Sequence, residues 1–318
     1  MKKINIVVLD AKPLINNDVN LERLYSLGEV EVYDRTADEQ VIERAIDAEI
    51  VLVNKVRLDE RHFADLPKLR YIGETATGVD NIDLAAAQRY DITVTNVPNY
   101  GTDSVAQHVI ALLFSHCNHI ETHNQSIQRG EWQEQPYFSY WLNPITELSG
   151  LKLGLLGYGK IAQKVALIAQ SLGMEIIAHK PNSFQDKLAR AVSLTELLQE
   201  SDVLSLHCPL NQATNKIINS DTLAQMKASS IIINTSRGGL IDEFALAQAL
   251  SEKKLTAAYL DVLTKEPPDA NNPLLGLANC ILTPHMAWAS VTARKRLLNI
   301  VCENIIHFLN QQPINVVK

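Results

Sequence analysis

No stretch of the 318 residues reaches the roughly 20 consecutive apolar positions that a membrane-crossing helix needs, so a helical membrane protein is not expected. Lysine and arginine (29) are outnumbered by aspartate and glutamate (36), and the net charge of −7 leaves no basic footprint for nucleic acid or an anionic membrane. Cysteine is scarce. Cys117, Cys208, Cys280 and Cys302 lie far apart, without CxxC or His-rich ligand spacing. Neither a disulfide framework nor a metal site is expected from them, only free thiols in a reducing cytoplasm. There is no fixed-period repeat and no low-complexity tract. The start, Met1-Lys2-Lys3 before an apolar run, looks like a secretion signal only superficially. Asp10 interrupts the run and no small-residue cleavage site follows, so a first strand is expected instead. A cytoplasmic protein is the expectation.

What is present is ordinary globular composition, 46% hydrophobic and 20% charged, in a chain long enough for about two domains. Short apolar runs alternate with helix-length amphipathic segments. The first series predicts strands at 4–9, 29–33, 50–53, 71–74 and 92–95, with helices at 39–48 and 83–89 among the intervening segments. The second predicts strands at 152–156, 175–179, 203–207, 230–234, 257–261 and 280–283, with helices including 161–172, 194–200 and 243–251. Runs that do not alternate, separated by helices, imply strands covered on both faces and hence parallel sheets. Six βα steps in the second series suit one doubly wound, Rossmann-type sheet.

Between the series, Val97-Pro98-Asn99-Tyr100-Gly101 marks a hinge, followed by a long apolar helix from 103 to about 119. The segment 130–150 carries Trp132, Tyr137, Tyr140 and Trp141 with little periodicity and reads as a dimerisation arm. A last helix at about 290–310, apolar at Leu297, Leu298, Ile300, Val301, Ile305 and Ile306, is expected to pack back on the first domain. The expected division is therefore 1–99 with 288–318, and 100–287.

The most informative local pattern is Gly157-Tyr158-Gly159-Lys160-Ile161-Ala162, which directly follows the buried run at 152–156 and opens a helix. In G-x-G-x-x-A the first glycine permits the tight turn and the second admits a pyrophosphate against the backbone. The alanine keeps helix and strand close. The helix start, from Lys160 and Ile161, offers free N–H groups and a positive dipole end to phosphates. The next strand ends at His179-Lys180, 23 residues beyond Gly157, where an acidic residue commonly binds the adenosine ribose. Lysine there would attract a 2′-phosphate, so NADP(H) is expected to be accepted beside NAD(H). The alternative is a solvated lysine, with the ribose held by Asn182 and Ser183.

Three further strand ends carry polar groups at the edge where open α/β sheets bind ligands. Asn234-Thr235-Ser236-Arg237-Gly238-Gly239 follows an apolar run, and its guanidinium suits a carboxylate and a neighbouring carbonyl. Asp261 precedes Val262-Leu263-Thr264-Lys265-Glu266-Pro267. Thr283-Pro284-His285 presents an imidazole able to protonate a ketone, with Glu266 as the candidate carboxylate to orient it. The other eight histidines have no comparable setting.

With these motifs in this order over essentially the whole chain, the sequence resembles the D-isomer-specific 2-hydroxyacid dehydrogenase family. The resemblance implies Arg237 as substrate-binding arginine, His285 as acid/base and Glu266 as its partner. Cofactor contacts are implied at Cys208, Pro209, Thr235, Ser236, Arg237, Asp261, His285 and Trp288. Ala76-Thr77-Gly78-Val79-Asp80-Asn81 matches the family's loop whose N–H groups hold the substrate carboxylate, implying Gly78 and Val79, with Lys55 on another pocket wall. The family's smaller substrate domain is flavodoxin-like α/β and discontinuous in sequence. The stretches 100–108 and 285–288 are similar to glycerate dehydrogenases (hydroxypyruvate reductases), and Trp288 would narrow the pocket.

The implied partners are a small 2-keto or 2-hydroxy acid and a second copy of the chain. Alternatives within the family are a D-lactate-type enzyme and a 3-phosphoglycerate dehydrogenase, whose appended regulatory domain does not follow before Lys318. A formate dehydrogenase-like enzyme would pair glutamine, not glutamate, with the histidine. A cofactor-sensing corepressor is the alternative of another class, because such proteins can keep the same Arg, Glu and His.

Overall fold

Runs such as Ile50-Val51-Leu52-Val53 and Ile231-Ile232-Ile233-Asn234 have no polar face to offer water, and as strands they are buried at every residue. They sit in the middle of two parallel sheets in the computed structural model, which describes residues 4–182 and 184–318. The chain forms two units: Met1–Gly101 with Trp288–Lys318, and Thr102–Ala287.

In the first unit, β1 (Asn5–Val8), β2 (Glu29–Val32), β3 (Ile50–Val53), β4 (Tyr71–Glu74) and β5 (Thr93–Thr95) form a sheet in the order β2-β1-β3-β4-β5, parallel throughout. This is the flavodoxin-like order. One face is covered by the helix Val291–Leu309, whose Ala293, Leu297, Val301 and Ile305 pack among Ile6, Leu52 and Tyr71. Ser290 starts that helix by accepting from the Ala293 N–H at 3.2 Å. The chain end is pinned as well, with Val317 N–H donating to Val94 at 2.9 Å. Opposite, the helices Val41–Ala45, Glu60–Asp65 and Leu84–Arg89 close over Val51 and Ile72.

The second unit holds β6 (Lys152–Leu156), β7 (Glu175–His179), β8 (Arg190–Ala191), β9 (Val203–Leu206), β10 (Ile231–Asn234), β11 (Ala257–Leu260) and β12 (Cys280–Leu282). Their order is β12-β11-β10-β9-β6-β7-β8, again all parallel. The connection reverses direction between β6 and β9, a topological switch point whose carboxyl edge is the usual ligand crevice of a doubly wound sheet. The helices are capped as their sequences suggest: Ser193 accepts from Glu196 N–H at 3.1 Å, and Asp242 from Phe244 N–H, also at 3.1 Å.

Some elements depart from expectation. The helix expected at 39–48 contracts to Val41–Ala45 behind a short 3₁₀ turn at Asp38–Gln40. The helix Thr102–Asn118 is followed, across a left-handed His119 (φ 49°), by a second, unforeseen helix Ile120–Gln128. The two-residue β8 has no sequence period and was not foreseen either. The segment 131–149 forms neither helix nor strand, and it exposes Trp132, Tyr137, Phe138 and Trp141. All four cysteines are free thiols. Among the described residues no helix is long and apolar enough to cross a membrane, and no His/Cys/Asp/Glu group could hold a metal.

Candidate active site

The glycine turn lies where β6 meets the helix Lys160–Ser171, at the switch point. Gly157 has φ +96°, and a Cβ there would stand 2.7 Å from the backbone of His207 and Cys208. Only glycine fits. Gly159 differs: its conformation is extended and a Cβ would meet nothing within 4 Å. The space beside it is open, and no side chain caps the helix, so its first N–H groups have no intrahelical acceptor. Ala162 is fully buried against the sheet. An open cradle at a 12-residue helix start suits the phosphates of a dinucleotide. Cys208 and Pro209 follow β9 beside this turn, and burial pushes the Cys208 thiol up to about 11, away from thiolate chemistry. Desolvation pushes the adjacent half-buried His207 down to about 4, so it stays neutral.

Beyond the turn, Lys180 places its ammonium 5.0 Å from the Phe184 ring centroid, and that ring stacks on Tyr158 at 4.7 Å. Asn182 is exposed; Ser183 lies outside the described residues.

At the end of β10 the chain turns on Asn234, whose side chain donates to Arg237 O (2.9 Å) and accepts from Ser236 N–H (3.0 Å). Ser236 Oγ donates to Leu206 O at 2.8 Å, tying the loop to β9. Gly238 packs so closely that a Cβ would come within 1.9 Å of Leu263 backbone. The Arg237 and Glu266 loops are thereby held back to back. Thr235 Oγ1 is buried and has no hydrogen-bond partner among the described residues, an orphan polar atom that a bound group could satisfy. Glycine cradle and orphan hydroxyl together fit a dinucleotide on this edge.

His285 follows β12 with φ +52°, a conformation L residues seldom adopt outside constrained sites. Its Nδ1 lies 2.6 Å from Glu266 Oε2, while Glu266 Oε1 accepts from Leu263 N–H at 3.0 Å. The carboxylate therefore accepts a hydrogen bond from the Nδ1 N–H, which keeps the proton on Nδ1 and leaves Nε2 for other work.

Sequence reasoning missed what holds this loop. Asp261 is buried, and its Oδ1 accepts from Thr283 Oγ1 (2.6 Å) and Met286 N–H (2.9 Å) while Oδ2 accepts from Ala287 N–H (2.9 Å). Its carbonyl accepts from His285 N–H at 2.8 Å. Because Thr283 spends its hydroxyl proton on Asp261, His108 Nε2, 3.1 Å away, is the donor to Thr283. Asp261 is thus an anchor for the His285 loop.

In the first unit, the N–H groups of Gly78 and Val79 have no hydrogen-bond partner among the described residues. Thr77 is fixed beside them through Val97 O (2.9 Å) and Asn96 (2.7 Å). Lys55 is exposed, and the backbone N–H groups of Asn54, Lys55 and Val56 all donate to Asp10, at 2.8, 2.6 and 3.0 Å. Trp288 belongs to this unit too, edge-on to Tyr100 at 6.3 Å.

Comparison with known proteins identifies a family. Residues 110–287 match the family described as D-isomer specific 2-hydroxyacid dehydrogenase, NAD binding domain. The chain is 44% identical to a hydroxypyruvate reductase of Blautia hydrogenotrophica, over 98% of this chain and 99% of the other. It is 38% identical to a glycerate dehydrogenase of Methylorubrum extorquens, over 98% of each. Among solved structures, an NADPH-dependent glyoxylate/hydroxypyruvate reductase of Sinorhizobium meliloti with NADP and malonate superposes with TM-score 0.86 at 28% identity, covering 99% of this chain and 97% of that one.

Proposed function

The chain belongs to the D-isomer-specific 2-hydroxyacid dehydrogenase family, oxidoreductases acting on CH–OH groups, and on that premise we propose that it reduces hydroxypyruvate and glyoxylate to D-glycerate and glycolate. One observation carries the chemistry: an imidazole backed by a carboxylate at 2.6 Å, on a loop anchored by a buried aspartate, at the same sheet edge as Arg237 and the glycine cradle.

Gly157, Gly159, Lys160, Ile161 and Thr235 would hold the dinucleotide, with Cys208, Pro209, Ser236, Asp261 and Trp288 in support. When bound, the reduced nicotinamide supplies a hydride to the carbonyl carbon. Arg237 binds and polarises the keto acid, a role for which a planar guanidinium is suited. His285 donates its Nε2 proton to the developing alkoxide, and Glu266 stabilises the imidazolium before transfer and fixes the ring throughout. In the first unit, the Gly78 and Val79 N–H groups and Lys55 receive the substrate carboxylate. Lys180 is read as accepting a 2′-phosphate, so NADPH serves beside NADH. The enzyme is read as a cytoplasmic homodimer joined through 130–150.

The test is steady-state kinetics on hydroxypyruvate, glyoxylate, pyruvate and phosphohydroxypyruvate, each with NADH and NADPH. Hydroxypyruvate should give the highest kcat/KM, and His285→Ala should lower kcat about a hundred- to ten-thousandfold with dinucleotide still bound. Preference for pyruvate or phosphohydroxypyruvate would overturn the substrate. Saturable dinucleotide binding without turnover would make the protein a sensor.

A further inference from the structure

The first unit contains a second carboxyl group that the proposed mechanism does not use. Glu74 is the last residue of β4, at the carboxyl edge of the sheet, and its side chain is 0% exposed. Its Oε2 accepts one hydrogen bond, from Asn81 Nδ2 at 3.0 Å; among the described residues Oε1 has no partner and no ion pair reaches the carboxyl. Asp10, at the end of β1, is treated differently, receiving three backbone N–H groups that suit a carboxylate. β1 and β4 flank β3, so the two acids stand on either side of the segment that begins Asn54-Lys55-Val56. A charged carboxylate with one amide donor and a bare oxygen is costly to bury. Of the pair, Glu74 is therefore the one that stays protonated.

Its amide partner is a bridge. The second N–H of Asn81 Nδ2 donates to Val56 O at 3.0 Å, and Asn81 O accepts from Leu58 N–H at 2.9 Å. Asn54 Nδ2 in turn donates to Thr75 O at 2.9 Å. The 54–58 segment and the 75–81 loop are stitched into one piece, and they carry Lys55, Gly78 and Val79.

We propose that Glu74 is a positioning residue that works by being uncharged: through Asn81 it holds the 75–81 loop against the 54–58 segment, and by carrying no charge it leaves the positive field of Lys55 to an anionic substrate. This rests on the reading of Lys55, Gly78 and Val79 as the substrate's anchors. Burial pushes the Glu74 carboxyl up to about 9; of the charged groups facing it, Asp10 and Asp80 raise it and Lys55 lowers it. An ionised Glu74 would set a second negative charge beside Lys55 and weaken attraction for a carboxylate.

The experiment is the pH dependence of KM for hydroxypyruvate from pH 6.5 to 10, in the wild type and in Glu74→Gln, with the infrared carboxylic-acid band as a second readout. In the wild type KM should climb on the order of tenfold as Glu74 ionises above about pH 9, a climb that Glu74→Gln lacks. Only Glu74 differs between the two enzymes, so the ratio of the two profiles reports its ionisation. Glu74→Ala should raise KM several-fold at every pH with little change in kcat. The wild type should show a protonated-carboxyl band at pH 7 that disappears near pH 9 and is absent from Glu74→Gln. Superimposable KM profiles, or no such band at pH 7, would overturn the proposal. Failure of the wild type on all four keto acids would instead sink the proposed function, and the band, which needs no turnover, would still decide the charge of Glu74 by comparison with Glu74→Gln.

Discussion

Two glycines only two residues apart should fail in opposite ways when changed to alanine. At Gly157 the backbone sits at φ +96°, and a Cβ would meet the His207 and Cys208 backbone at 2.7 Å. Left-handed strain costs about 1–2 kcal/mol, and overpacking against atoms that cannot rotate away costs about 1–3 kcal/mol. Gly157→Ala should thus lose roughly 2–5 kcal/mol, a fall in Tm of about 4–20 °C at roughly 2–4 °C per kcal/mol. At Gly159, φ is −90° and nothing lies within 4 Å, so stability should change by less than about 1 kcal/mol. The added methyl would instead occupy the space assigned to the pyrophosphate. Losing one charge-assisted hydrogen bond of about 1.5–3 kcal/mol weakens dinucleotide binding about ten- to hundredfold. Calorimetric melts and fluorescence titration with NADH and NADPH separate the two effects. A Gly159→Ala protein with wild-type affinity would refute the cradle, and a Gly157→Ala protein with wild-type Tm would refute the steric reasoning.

Asp261→Ala should strip acceptors from Thr283, Met286 and Ala287 at once, costing about 3–5 kcal/mol in urea unfolding and lowering kcat as the His285 loop loosens; unchanged stability would contradict the anchor. The exposed aromatics of 130–150 should be covered by a second copy, so sedimentation should give a dimer near twice 35.4 kDa and Trp141→Ser with Phe138→Ser should weaken it. A wild-type monomer at micromolar concentration would remove the arm's assigned role.

The two sheets were legible because their strands are buried on both faces. A run such as Ile231-Ile232-Ile233 has no polar alternative to being covered, so composition alone marks it within a residue of its observed start. Elements whose stability comes from elsewhere escaped. The helix Ile120–Gln128, with the sequence Ile-Glu-Thr-His-Asn-Gln-Ser-Ile-Gln, buries only Ser126 fully and offers no apolar stripe to recognise. β8 is a two-residue extension that exists only because β7 lies beside it. Neither carries a period that a window can detect.

The site divides along the same line. Gly157, Arg237 and His285 stood out because each breaks a local rule: a glycine where a strand ends, a charge or an imidazole where an apolar run meets the ligand edge. Asp261, Asp10 and Glu74 also stand at strand ends, but nothing local says what each one holds. Asp261 ends its run much as any aspartate ends a strand, and its partners lie 22, 25 and 26 residues away. Those of Asp10 lie 44 to 46 residues on. A buried carboxylate is defined by the donors that surround it, and donors so distant in sequence meet only once the sheet has formed. The groups assigned to the chemistry announce themselves locally, whereas those that aim them are created by topology. The left-handed His285 backbone shows why the second kind matters: its φ of +52° persists in a loop whose N–H groups end on Asp261, so the imidazole's aim depends on a residue that touches only its backbone.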